Sequence, residues 1–316
     1  MSLQKIDTHT HCVPPFWVEA LKKAGKGPIL AYDEDKHLET MERCNISKSI
    51  LSIASPGTHL VPGDDAAARE LSRKCNVYLA DIKKRRPDKF GFFATIPLPD
   101  IEGSLKEIAY ALDELDADGF CIFSNHHGIY IGNDIYEPVW AELSRRKATI
   151  FMHPTIPSMT VGGSLVNAMP APGFSPAIFE FFIEEVRVVL GLFSSRQVIR
   201  YPDMTWIIAH CGGALPPIIE RFCNFGTSIF GGKVELSSEK MKEVLKKQFY
   251  FDIAGFPLPD QIHGLIRLVD PSRLLYGSDY PYTPERTTIE LSDKLDKELA
   301  SALGVPMKIQ CASHVS

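Results

Sequence analysis

The chain has 316 residues, 45% of them hydrophobic and 23% charged, with a formal net charge of −5. That is enough apolar material for a large core, and it excludes a disordered polymer; Lys and Arg are scattered, which excludes the basic footprint of a nucleic-acid binder. Seven cysteines without a CxxC pair point to free thiols in a reducing compartment, with Cys75, Cys121 and Cys211 in apolar or helical contexts. The start MSLQKIDTHTH lacks a basic region followed by an apolar stretch, and no later segment is apolar for long enough to span a bilayer. A cytoplasmic enzyme with small-molecule partners, no nucleic acid and no membrane is expected.

Eight short apolar runs follow one another along the chain: LQKIDTH (3–9), KSILSIA (48–54), FGFFATI (90–96), DGFCIFS (118–124), TIFMHP (149–154), TWIIAHC (205–211), FYFDIAG (249–255) and RLLYGSD (273–279). β-Branched and aromatic residues dominate them, as strands require. Between them lie amphipathic stretches such as SLKEIAYALDEL, YEPVWAELSRR, IFEFFIEEVRVVLGLF, LPPIIERFCNF and SEKMKEVLKKQ, several of which begin after Asp, Ser or Pro as helices do. Eight strands alternating with helices predict an α/β fold, a (β/α)8 TIM barrel formed as one domain over 1–316, whose chemistry is carried at the strand C-termini. An open doubly wound sheet is the alternative, unsupported by any GxGxxG or GxxxxGK[ST] stretch. The loop from Pro154 to Pro176 is long for a βα connection and is expected to cover the barrel mouth.

The polar residues at those strand ends are the informative ones. His9 and His11, one residue apart on an extended strand, present two imidazoles to one side. His153, His210 and Asp279 stand at the ends of strands five, six and eight. Three neutral imidazoles and a carboxylate suit a divalent metal such as zinc with a position left for substrate or water. His210, in AHCGG, is in excess of that set and is read as an acid/base or orienting group; a core histidine satisfied by a carbonyl is the alternative. For Asp279 the alternative is a turn or N-cap aspartate. The adjacent His126 and His127 are expected at the solvent or substrate edge, because neighbouring loop residues seldom point together.

The stretches DTHTHCVPP, FMHP, RYPDMTWIIAHCGGALPPIIERF and LLYGSDYPY, in this order from Lys5 to Thr283, resemble the amidohydrolase-2 branch of the amidohydrolase superfamily, the group related to aminocarboxymuconate semialdehyde decarboxylase. Within that group the sequence is most similar to fungal 6-methylsalicylate decarboxylases. The resemblance implies a distorted TIM barrel with one divalent metal, zinc first, manganese or magnesium as alternatives, held by His9, His11, His153 and Asp279, with His210 catalytic. It implies a homodimer or homotetramer in which Arg221 reaches a neighbouring subunit's site, although Arg221 could equally be an exposed helix residue. Relatives with two metals carry a lysine at the end of strand four; DGFCIFSNHHG has none.

The implied activity is non-oxidative decarboxylation of a small aromatic acid, 6-methylsalicylate giving 3-methylphenol and carbon dioxide, with a hydrolase of a lactone or amide as the alternative. Asp279 would deliver the proton with His210 relaying it, or the two roles would be exchanged. KAGKGPILAYDED contains no arginine to clamp a second carboxylate, which favours an apolar aromatic acid; Phe174, Phe179, Trp17 and Tyr282 are candidate pocket walls. From about residue 285 the chain departs from the family's ending, and LGVPMKIQCASHVS matches nothing there.

Overall fold

In the computed structural model, residues 4–27, 30–169, 173–228 and 237–303 are described. Eight strands carry the fold: β1 (Lys5–Cys12), β2 (Ile46–Ile53), β3 (Phe90–Thr95), β4 (Gly119–Phe123), β5 (Thr149–His153), β6 (Thr205–Ile208), β7 (Phe249–Asp252) and β8 (Leu274–Leu275). They pair in sequence order, each parallel to the next. The sheet closes on itself where Thr8 N donates to Tyr276 O at 3.0 Å and His11 N to Tyr280 O at 2.7 Å. Closure decides for the barrel over the open sheet.

All-parallel strands covered on both faces read as continuous apolar runs, and β3, β4 and β5 are buried throughout. Their two faces nonetheless separate by alternation. Phe93, Cys121, Phe123, Phe151, Ile207, Ala209 and Leu275 form a small inner cluster inside the barrel, while Phe92, Phe120, Ile150, Met152, Trp206 and Ile208 belong to the larger layer between strands and helices. Stepping by two from Phe151 reaches His153, and from Leu275 reaches Gly277 and Asp279. The same step from Tyr250, which packs on the inner cluster, reaches Asp252.

Helices cover the outside: α1 (Pro15–Lys23), α2 (Glu34–Arg43), α3 (Asp65–Arg85), α4 (Ile101–Asp113), α5 (Glu137–Arg145), α6 (Glu180–Ser194), α7 (Gln197–Arg200), α8 (Leu215–Ser228), α9 (Ser238–Gln248), α10 (Gln261–Leu265) and α11 (Glu285–Leu303). Side-chain caps start several, with Asp64 accepting from Ala67 N, Asp100 from Gly103 N and Ser237 from Lys240 N. None of these helices, among the described residues, is long and apolar enough to cross a membrane. The six cysteines described are buried and none is in a disulfide.

One expectation needs correction. The stretch after β5 is not a plain loop: Ser158–Val161 and Ser164–Asn167 pair as an antiparallel hairpin. Residues 285–303, where the tail was set to begin, form α11, which the buried Lys5 ties down through Ser292 Oγ at 3.0 Å and Asp296 Oδ2 at 2.8 Å. The rest of that tail, 304–316, lies outside the described residues.

Candidate metal centre and proton-transfer site

His9, His11, His153 and Asp279 each offer one ligand atom, and these atoms all lie within 4.8 Å of one another. Asp279 Oδ1 is 3.5 Å from His9 Nε2 and 3.4 Å from His11 Nε2. The outward nitrogen of each ring is held by the protein. His153 Nδ1 lies 2.7 Å from Pro154 O and His9 Nδ1 lies 2.9 Å from Asp252 Oδ2. His11 Nδ1 lies 3.1 Å from Ser52 Oγ, whose hydrogen is donated to Thr10 O. A carbonyl, a carboxylate and a hydroxyl whose proton is spent can only accept, so each Nδ1 carries a hydrogen and each Nε2 faces the common point.

That point fits a divalent cation. His9 Nε2 is fully buried and has no hydrogen-bond partner, a costly state that a metal relieves. Burial lowers His11 and pushes His153 well below the ordinary histidine range, so both stay neutral as ligands must. Burial also lowers His9, but Asp252 and Asp279 more than offset it, so His9 holds a proton that a cation would displace. Burial works against the charge of Asp279, yet contacts from His11 and His9 keep its carboxyl well below the usual range.

His210 lies outside the four-atom set. Its ring centroid is 4.9 Å from that of His9 and 5.8 Å from that of His153. Its Nδ1 is 2.6 Å from Glu185 Oε1, and its backbone N–H donates to Asp252 Oδ1 at 3.1 Å. Burial, then His9, lowers it to about 4. The chain turns sharply here: His210 (φ 49) and Cys211 (φ 57) both sit in the left-handed region, as does Asp279 (φ 56). Strain of this kind collects at functional sites. At Gly213 a Cβ would stand 2.3 Å from Phe182 O and 2.4 Å from Glu185 Oε2, so only glycine leaves room for that carboxyl.

The side of the site comes from α6. Phe181, Phe182 and Glu185 lie three and four residues apart, on one helical face. Phe181 packs edge-on to His153 with centroids 5.9 Å apart, and Phe182 lies 5.8 Å from His210. From inside the barrel Phe151 packs on His9 with centroids 5.0 Å apart, and Phe123 lies 6.1 Å from His153; the expected Phe174 and Phe179 are 60% and 41% exposed. Tyr282 does reach the site, its ring 5.4 Å from that of His11. Trp17 lies in the packed outer layer, fully buried, with its indole donating to Gly57 O at 2.8 Å. Arg221 is exposed on α8, its guanidinium over the Phe225 ring. His126 is buried against Phe123 and Tyr136 rather than at the solvent edge, whereas His127 lies 2.9 Å from His59 Nδ1. Asp252, Glu185, Ser52, Phe181 and Phe182 escape the strand-end reading. Asp252 was within reach of it, because FYFDIAG ends a strand with an aspartate as RLLYGSD does.

A family profile described as amidohydrolase matches residues 6–308. The chain belongs to the amidohydrolase family. This amidohydrolase is 34% identical over 306 residues to the 6-methylsalicylic acid decarboxylase of Aspergillus aculeatus, a match spanning 94% of this chain and 90% of the relative. Among solved structures, one of an amidohydrolase II superposes with a TM-score of 0.83 at 31% identity, covering 93% of this chain and 92% of the other. The dihydroxybenzoic acid decarboxylase of Polaromonas sp. JS666, solved with bound manganese and the inhibitor 2-nitroresorcinol, shares the fold with a TM-score of 0.75 at 20% identity, over 96% and 95% of the two chains.

Proposed function

We propose that this amidohydrolase is a metal-dependent, non-oxidative decarboxylase of a small salicylate-type acid, with 6-methylsalicylate the first candidate and 3-methylphenol and carbon dioxide its products. The observation that carries the reading is the pairing of a four-ligand cluster within 4.8 Å with a fifth buried imidazole, His210, outside it. The 34% identity to a 6-methylsalicylic acid decarboxylase supports the substrate class.

His9, His11, His153 and Asp279 would hold one divalent ion, zinc by the donor set, with manganese, present in the Polaromonas neighbour, or magnesium as alternatives. Such an ion supplies Lewis-acid polarisation of a carboxylate and a phenolic oxygen. The chain's own residues do the rest. Phe181, Phe182 and Tyr282 offer an apolar rim against which an aromatic ring can lie, and with the ring held there Asp279 and His210 would flank the carbon to be protonated. The reaction consumes one proton for each carbon dioxide released. Asp279 is held as a carboxylate by two imidazoles, which makes His210 the better placed of the two to deliver it.

A homodimer or homotetramer is part of the proposal, with the exposed Arg221 available to a neighbouring subunit; sedimentation of wild type and Arg221→Ala checks it. The activity test is metal analysis of purified protein with carbon dioxide release from 6-methylsalicylate, salicylate and dihydroxybenzoates, alongside a lactone panel. Release from an aromatic acid, dependent on about one metal per chain, is expected. Lactone opening without it would assign the site to hydrolysis.

A further inference from the structure

We propose that Glu185 is a positioning residue that shares one proton with His210 and so allows Nε2 of that ring to give its hydrogen to the substrate's ring carbon. The proposal rests on the decarboxylase reading and deepens it.

Geometry points to it first. Glu185 Oε1 and His210 Nδ1 are 2.6 Å apart and both side chains are buried. Two bare lone pairs repel at that separation, so a proton lies between them.

Economy points the same way. Glu184, one residue earlier on α6, is a structural anchor: Ser124 Oγ, Asn125 Nδ2, Tyr130 OH and Arg187 all donate to it. Glu185 has no such employment. Its Oε2 is buried without a hydrogen-bond partner, which costs free energy. The left-handed Gly213, where a Cβ would stand 2.4 Å from that Oε2, keeps the space open for a carboxyl whose one hydrogen-bonded partner among the described residues is His210.

The chemistry needs such a partner. A neutral imidazole that lost its Nε2 hydrogen alone would become an imidazolate, a far stronger base than any neutral-pH site sustains. With Glu185 at Nδ1 the balance closes. The Nε2–H bond breaks as the ring C–H bond forms, and the shared proton ends on Nδ1, facing a Glu185 carboxylate. The bond from the ring to the carboxylate carbon then breaks, its electron pair restores the aromatic ring, and carbon dioxide leaves. One proton from solvent resets the pair.

The test uses the metal-loaded protein and Glu185→Gln, which keeps the shape but has no proton to exchange. A fall in kcat of about 100-fold or more is expected, with KM within about threefold, metal content unchanged and the melting temperature close to wild type. In 15N-histidine-labelled wild type, the His210 Nδ1 nitrogen should show the far-downfield proton of a short shared hydrogen bond, and this far-downfield signal should be lost in the variant, whose amide makes only an ordinary bond. Glu185→Asp, which retains an exchangeable carboxyl one methylene further off, should lie between the two in kcat. Glu185→Gln with kcat within threefold of wild type, or no less active than Glu185→Asp, overturns the proposal, as does an unchanged His210 signal. Because that signal needs no substrate, a wild type inert towards every aromatic acid would remove the decarboxylase reading while the shared proton is still read directly.

Discussion

One oxygen of Asp252 lies 2.9 Å from Nδ1 of His9, beneath the cluster of proposed metal ligands, and both side chains are completely buried. Its other oxygen accepts the backbone N–H of His210 at 3.1 Å and that of Ala254 at 3.0 Å. A single carboxylate therefore sets the tautomer of one proposed ligand and the position of the strained turn that carries the proposed proton donor, His210.

Asp252→Asn leaves the shape almost unchanged but places an amide where a charged acceptor stood. Removing a carboxylate that orients a ligating histidine typically costs 10- to 100-fold in metal affinity. A loss of about that size is expected, read by competition with a chromophoric chelator, with near-native circular dichroism. Unchanged affinity would mean that His9 needs no such support.

Asp279 is argued differently, because its carboxylate touches two imidazoles and is proposed to serve both the metal and the proton transfer. Asp279→Asn removes the charge while leaving three histidines in place. Turnover of 6-methylsalicylate should fall by about 1,000-fold or more, while a substantial share of the metal stays bound in elemental analysis. A variant with near-normal kcat would remove Asp279 from the chemistry.

Much of this was legible in the amino-acid sequence, and the reason is periodicity. All eight apolar runs became barrel strands because parallel, doubly covered strands leave dense β-branched and aromatic signatures. His9, His11, His153 and Asp279 could be read because each stands at or just past the C-terminal end of such a run. Glu185 could not: a charged residue on an amphipathic helix reads as a solvated one, and only the packing of α6 against the His210 turn turns that face inward. The same holds for Phe181 and Phe182 against Phe174 and Phe179, since sequence shows how many aromatics a segment has but not which of them the chain presents to the barrel. Residues 158–167 lacked the Asn-Gly or Asp-Gly signal of a tight hairpin, although the Gly162–Gly163 turn takes positive φ at both positions.

At the opposite end of β1, Lys5 is 1% exposed and its ammonium reaches Cys44 O, Ser292 Oγ and Asp296 Oδ2 at 3.0, 3.0 and 2.8 Å. This knot fastens α11 to the barrel. Asp296→Ala would strand a buried cation, and breaking a pair of that kind costs about 3 kcal/mol. Arg43 and Glu285 also join α2 to α11, at 2.7 Å, but with both side chains exposed, so Arg43→Ala should cost no more than about 1 kcal/mol. Urea unfolding of the two variants checks the contrast; equal losses would show that burial of Lys5 is not what secures the helix.

His37 gives a pH dependence with a definite sign. Its ring stacks on Tyr280 at 4.5 Å, its Nδ1 lies 3.1 Å from Tyr32 OH, and its Nε2 is buried without a partner. Burial lowers its pKa to about 3, with Glu34 opposing. Between that value and the ordinary 6.5 the unfolded chain binds a proton that the folded chain refuses, so stability is full above 6.5 and is lost as the pH falls towards 3. From pH 6.5 to pH 5 the loss from this one group is about 1.5 kcal/mol. His37→Phe keeps the ring and removes the titration. Its urea midpoint should therefore fall less steeply than that of wild type over this interval, with m unchanged; parallel curves for the two proteins would show that His37 takes up a proton without unfolding.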